Sequence, residues 1–214
     1  MVGLHAPIDT RESLLKAATE AFVEKGFSGA RVDEIARKAR ANKAMIYYHF
    51  GSKEKLYRAV LLHQIGSLHE EIARVAGLEG GPVVRLTAFY AGLGRMFAER
   101  PSLPHIMFRE MLTGGVHMDA GVARALKGVF DFVAGTIREG IERGQVRPVD
   151  PLFVHLTAIA PMMLFSVGRS FRERVLPVAM PEGARPTPEA LLAHVQDVLV
   201  RTLESGPRAS TDRS

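Results

Sequence analysis

Apolar residues recur at three- and four-residue spacing in one segment after another, and no stretch keeps the strict alternation of a strand. The pattern predicts an all-α chain of about nine helices. The first is expected to start at Asp9, with Glu12 completing a capping box. Leu14, Ala18, Ala21 and Phe22 form its apolar face, and Lys25-Gly26 stops it. Val32, Ile35, Ala36 and Ala39 mark a short second helix. A third runs from an N-cap at Asn42 to about Phe50, and Gly51-Ser52 separates it from a longer helix near 53–75. Beyond a glycine-rich linker at 77–82, five more are expected near 83–99, 102–113, 119–143, 151–173 and 187–204. Asp150-Pro151 and Thr187-Pro188 each put an N-cap before a proline at the first helical position. Pro161 should kink the helix it occupies. Residues 175–186 read as a proline-rich loop, and 205–214 as a mobile tail with nothing to bury.

This patterning separates a small module at 1–52 from a helical body at 53–204, whose first helix, 53–75, connects the two. Charge sharpens the division: the first 60 residues carry 11 Lys/Arg against 7 Asp/Glu, the remainder 17 against 16. A basic module on a near-neutral body points to a polyanion as the module's partner. The absence of cysteine excludes disulfides, cysteine-ligated zinc and a thiol nucleophile. Residues 151–168 lack any charge, yet they are short for a span and carry His155, Thr157, Pro161 and Ser166. A helix buried on several sides is therefore expected, with no membrane partner. The first residues show no signal-peptide pattern, and a cytoplasmic location is expected.

The segment 42–50 has the composition of a helix that reads DNA. Such a helix needs one face anchored on a core and another shaped for the major groove. Ile46 and Phe50, four apart, can pack inward against Leu15, Phe22 and Ile35. Lys43, Tyr47 and, obliquely, His49 then project outward. The Asn42 cap leaves further free amides and the positive helix end available to phosphate. Lys53 opens the next helix within reach of the flanking backbone.

The run from Phe27 to Leu56 closely resembles the N-terminal domain of the TetR family of repressors. Gly26-Phe27, Val-Asp-Glu-Ile-Ala at 32–36, Ile-Tyr-Tyr-His-Phe at 46–50 and Ser52-Lys53-Glu54 occur in fixed order, and the likeness covers roughly residues 9–60. The resemblance implies that Lys43, Ala44, Met45, Tyr47, Tyr48, His49 and Lys53 touch DNA, and that Arg31 meets phosphate. Packing remains an alternative for both tyrosines. Met45 either meets a thymine methyl or fills space. The sequence departs from the family twice. Arg40 stands where the turn normally has glycine, which costs about 1 kcal/mol if the backbone is left-handed there. Arg31 stands where a Ser or Thr N-cap is usual, a loss of about 1 kcal/mol. A phosphate partner would rationalise both cations.

The same resemblance implies a ligand cavity in the body. Candidate lining residues are Phe89, Tyr90, Leu93 and Phe97, then Met107, Phe108 and Met111, then Phe130 and Val133, and finally Met162 and Phe165. Ordinary core packing is the plain alternative for these residues. His105, Arg109, Glu110, His155 and Arg169 are the polar groups able to orient a ligand, although Arg109 and Glu110 could equally form an ion pair. His105, His117 and His155 could also converge in a pocket, but no metal, cofactor or catalytic residue is expected. Segment 151–173 and the stripe Leu191, Val195, Val198 and Thr202 carry more apolar surface than one subunit needs, which predicts a four-helix homodimer interface. The expectation is a ligand-responsive regulator, a repressor released from a palindromic double-stranded operator by a small apolar ligand. A helical enzyme and a partner-protein-controlled regulator are the alternatives.

Overall fold

The computed structural model describes residues 10–179 and 186–204. Ten α-helices follow one another: α1 (Thr10–Gly29), α2 (Val32–Lys38), α3 (Lys43–Phe50), α4 (Lys53–Ala76), α5 (Gly81–Glu99), α6 (Ser102–Leu112), α7 (Ala120–Glu142), α8 (Pro151–Val167), α9 (Arg169–Ala179) and α10 (Pro188–Leu203). Among the described residues the only extended pairing is one antiparallel bridge, Val146 with Glu204. No single helix among them is long and apolar enough to cross a membrane. The expected cap at Asp9 and the tail at 205–214 lie outside the described residues.

The helix starts obey the local rules. Asn42 accepts from the Ala44 amide at 2.9 Å, Asp150 from Leu152 at 2.8 Å and Thr187 from Ala190 at 3.1 Å. Gly26, with φ 70° and ψ 177°, interrupts α1 at the expected stop, and one further turn follows it.

The second half of the body departs from expectation. One helix was expected over 151–173 with a kink at Pro161; α8 instead keeps Pro161 inside it, and a 78° bend falls at Gly168, where α9 begins. A Cβ at Gly168 would lie 2.8 Å from the Leu164 carbonyl oxygen, so the sharp turn fits glycine. The expected loop at 175–186 is helical as far as Ala179. Among the described residues the count is therefore ten, against about nine expected.

The helices gather into two compact units. The first comprises the residues up to Gly66 together with Ser102–Ala125, and the second Ser67–Pro101 with the residues from Leu126 onward. The sequence reading ended its first module at 52, whereas this unit also takes in the start of α4, all of α6 and the beginning of α7. Its core sits among α1, α2, α3, α4 and α6, where Leu14, Phe22, Ile35, Ile46, Leu56 and Ile106 are fully buried. In the second unit α10 packs on α5 and α8, and α5 packs on α8. Leu86, Phe89, Tyr90, Leu93, Val133 and Ile137 fill that core.

Candidate nucleic-acid interface

Helix α2 begins without a side-chain cap: Arg31 is extended and makes no capping hydrogen bond. It ends by placing Arg40 in the left-handed region at φ 53°. The Arg40 amide donates to the Arg37 carbonyl at 3.1 Å and the Ala41 amide to the Ala36 carbonyl at 2.9 Å. These are the two hydrogen bonds of a Schellman ending. The turn thus keeps the backbone that a glycine would favour, with an arginine bearing the strain. Two residues later Asn42 starts α3, so the two short helices meet across a tight corner.

Ile46 is fully buried and Phe50 nearly so, beneath an outer face that carries Lys43, Ala44, Tyr47 and Tyr48. Tyr48 is 80% exposed and Tyr47 47%. Packing, the alternative for both rings, does not account for a phenol that far in solvent. Met45 is half-buried, consistent with filling space. His49 does not project freely: it is half-buried against Tyr48 and Phe50, and its Nε2 has no hydrogen-bond partner. Lys53 rests its ammonium 4.7 Å from the centre of the Phe27 ring. Arg31, Arg40 and Asn42 are exposed.

Lys43 carries a partner that the sequence reading missed. Its ammonium donates to Asp33 of α2 at 2.8 Å, holding the Asp33 carboxyl below its ordinary value and raising the lysine above its own. The ten-residue spacing gave no helical signal, because the pair forms only across the α2–α3 corner. Lys25–Glu34 and Lys38–Glu20, each at 2.6 Å, similarly tie other lysines of this unit to carboxylates.

The same unit holds a buried polar cluster. Glu110, 2% exposed, accepts from the Tyr57 hydroxyl at 2.7 Å and lies 2.9 Å from His117 Nδ1. Burial, then the Glu110 carboxylate, pushes the Tyr57 phenol well above its usual range. Phe22, Phe27, Tyr57 and His117 pack edge-on or tilted around it, with centroids 4.2–5.3 Å apart in the closest pairs. The ion pair offered as an alternative for Arg109 and Glu110 does not form. Arg109 instead donates to the Glu24 carbonyl at 3.0 Å, reaching across Gly26.

Comparison with known proteins bears directly on this corner. Residues 14–60 match the family model described as bacterial regulatory proteins, tetR family. The chain is 30% identical over 159 residues to the HTH-type transcriptional repressor SCO4008 of Streptomyces coelicolor, an alignment covering 74% of each protein. The chain belongs to the TetR family. As a member it is a DNA-binding transcription regulator. It is also 34% identical over 138 residues to the HTH-type transcriptional repressor NicS of Pseudomonas putida, spanning 64% of either chain. Among solved structures, FadR of Bacillus subtilis in complex with stearoyl-CoA superposes with a TM-score of 0.72 at 17% identity, covering 89% of this chain and 98% of that one. SCO4942 of Streptomyces coelicolor does so with a TM-score of 0.68 at 24% identity, covering 91% and 98%. At these identities the superpositions establish the fold alone.

The ligand residues expected of this TetR-family regulator divide between the two units. Phe89, Tyr90, Leu93, Phe97, Phe130, Val133, His155, Met162 and Phe165 belong to the second. There the Tyr90 hydroxyl lies 2.8 Å from His155 Nδ1, and Phe130 stands edge-on to the imidazole at 6.3 Å. Burial pushes the Tyr90 phenol up and the His155 imidazolium down, so the two share one hydrogen bond as neutral groups. Arg172 covers the Phe165 ring, and Arg169 pairs with Glu173 at 3.0 Å on the exposed surface. His105, Met107, Phe108, Arg109 and Met111 belong to the first unit, where Met111 is 66% exposed. His117 serves Glu110 and His155 serves Tyr90, each satisfied singly within its own unit.

Proposed function

We propose that this regulator is a homodimeric repressor that reads a palindromic operator with α3 of each subunit and is released by a small apolar ligand. The supporting observation is the division of α3 into a buried edge, Ile46 and Phe50, and an exposed edge of Lys43, Ala44, Tyr47 and Tyr48. A good bidentate base contact is worth about 1–3 kcal/mol of discrimination against the wrong base. Arg31 and Arg40 flank it as phosphate ligands, and Lys53 serves the backbone beyond. Binding to a duplex selected from a random pool should weaken steeply as salt rises. Lys43→Ala with Tyr47→Ala should abolish selective binding while leaving the unfolding midpoint unchanged. Salt-independent binding by the wild-type chain would refute the reading.

Dimerisation is supported by α8, which buries only Val154, Ala158 and Met162. Leu152, Phe153, Leu156 and Leu164 stay exposed on it, Phe153 at 67% and Leu164 at 63%. A large apolar face of this kind is characteristic of a surface that another protein covers, and a two-fold axis makes one patch serve both subunits.

The ligand reading is supported by the polar pair Tyr90–His155 amid Phe89, Phe130 and Phe132, a site where an apolar molecule can be oriented by one hydrogen bond. The solved FadR complex holds stearoyl-CoA, which favours an apolar ligand here. Helix α4 is continuous from the first unit into the second. A ligand with higher affinity for one position of α4 would shift the population of reading heads toward that position.

A further inference from the structure

Of the cations at the α2–α3 corner, Arg31 and Arg40 have no carboxylate within ion-pair distance among the described residues, whereas Lys43 is held by Asp33 at 2.8 Å. Folding does not explain the pair. Both side chains are about half exposed, at 47% for Lys43 and 59% for Asp33. A surface ion pair of this kind contributes about 0–1 kcal/mol. For a surface that meets a polyanion, a carboxylate beside the first residue of the reading helix is a liability: it repels phosphate and cancels a nearby cation. Asp33 sits in the first turn of α2 and Lys43 in the first turn of α3, and the hydrogen-bonded turn between the helices brings the carboxylate to the ammonium.

We propose that Asp33 is a specificity-determining residue, which withholds the Lys43 charge from general attraction to phosphate and aims the ammonium at one acceptor in the correctly seated complex. That role presupposes the DNA-reading head proposed above. On a random duplex, Lys43 stays with Asp33 and displaces no counterion. On the selected sequence, an acceptor within reach of the aimed ammonium recovers the charge. Discrimination then comes partly from suppressing the wrong complexes.

Counterion release makes this measurable. Each phosphate neutralised adds about 0.9 to the slope of log affinity against log salt, equivalent to about eightfold between 1 M and 0.1 M salt. The experiment uses the full chain, a duplex selected from a random pool by the wild-type protein, and a scrambled duplex of equal length. Asp33→Asn keeps the shape and removes the charge. The expected result is a slope on the scrambled duplex steeper by about 0.9 per head, with about eightfold tighter scrambled binding per head at 0.1 M salt. The selected duplex should gain less, so the ratio between the two falls. Adding Lys43→Gln to Asp33→Asn should return the scrambled slope to its wild-type value. A wild-type chain indifferent to salt overturns the reading head, and the role of Asp33 with it. A steep wild-type slope that Asp33→Asn leaves unchanged overturns the role of Asp33 alone. Loss of selected binding with no change in slope overturns it too, since Asp33 would then be reading a base itself.

Discussion

The two units of this chain distribute polarity in opposite ways. The first unit keeps its proposed reading chemistry outside, with Tyr47, Tyr48, Lys43, Arg31 and Arg40 exposed over an apolar floor. The second hides its distinctive polar pair, Tyr90 with His155, and turns bare apolar side chains outward along α8. A surface that meets phosphate and base edges gains from hydrogen-bonding groups that water can also serve in the free protein. A surface covered by another protein gains most from groups that water serves badly. The contrast therefore fits the two kinds of partner proposed for one chain: a polyanion for the first surface, and for α8 a second copy.

The largest test of that contrast lies at the floor of the first unit. Phe22 is fully buried and meets the Tyr57 ring edge-on at 4.7 Å. Phe22→Ala should cost about 3–5 kcal/mol, read as a shift in the denaturant midpoint. Stability unchanged within error would mean that the reading surface does not depend on this floor. Next in size, Leu156→Glu with Leu164→Glu on α8 should convert a dimer to monomers in sedimentation velocity. A dimer that survives both changes would leave the exposed face without its proposed partner. Arg40→Gly relieves a left-handed arginine and should raise stability by about 0.5–1 kcal/mol, measured by thermal unfolding, while weakening DNA binding. Stability unchanged or lowered would show that the turn carries no strain.

The smallest effect concerns pH in the second unit. Burial holds the folded His155 below its ordinary value of 6.5. The unfolded chain therefore takes up that proton first as pH falls, so the stability it contributes is present above about 6.5 and is lost below it. His155→Gln keeps an acceptor for the Tyr90 phenol without titrating. It should flatten the decline in unfolding midpoint between pH 7 and 5, and an identical decline in the variant would place the titrating group elsewhere.

Much of the first unit was legible because its signals are local. Asn42 and Ser52 act on amides two or three residues away and make those hydrogen bonds, as Asp150 and Thr187 do in the second unit. The left-handed turn at Arg40 was raised only by the family resemblance, which puts glycine there; chirality sets its cost. The alternation of Ile46 and Phe50 with Tyr47 and Tyr48 divided α3 into its two faces because helical period alone decides which residues share an edge.

What only the tertiary structure decided depends on partners distant along the chain. Glu110 finds Tyr57 across 53 residues, and Lys43 finds Asp33 around a corner. No periodicity encodes either pairing. The bend at Gly168 belongs with these: Pro161 is the residue that disfavours a helix locally, yet α8 continues through it, and the chain turns where Gly168 approaches the Leu164 carbonyl. Local sequence sets what each segment can form, while burial energy summed over distant contacts selects which of those options the molecule adopts.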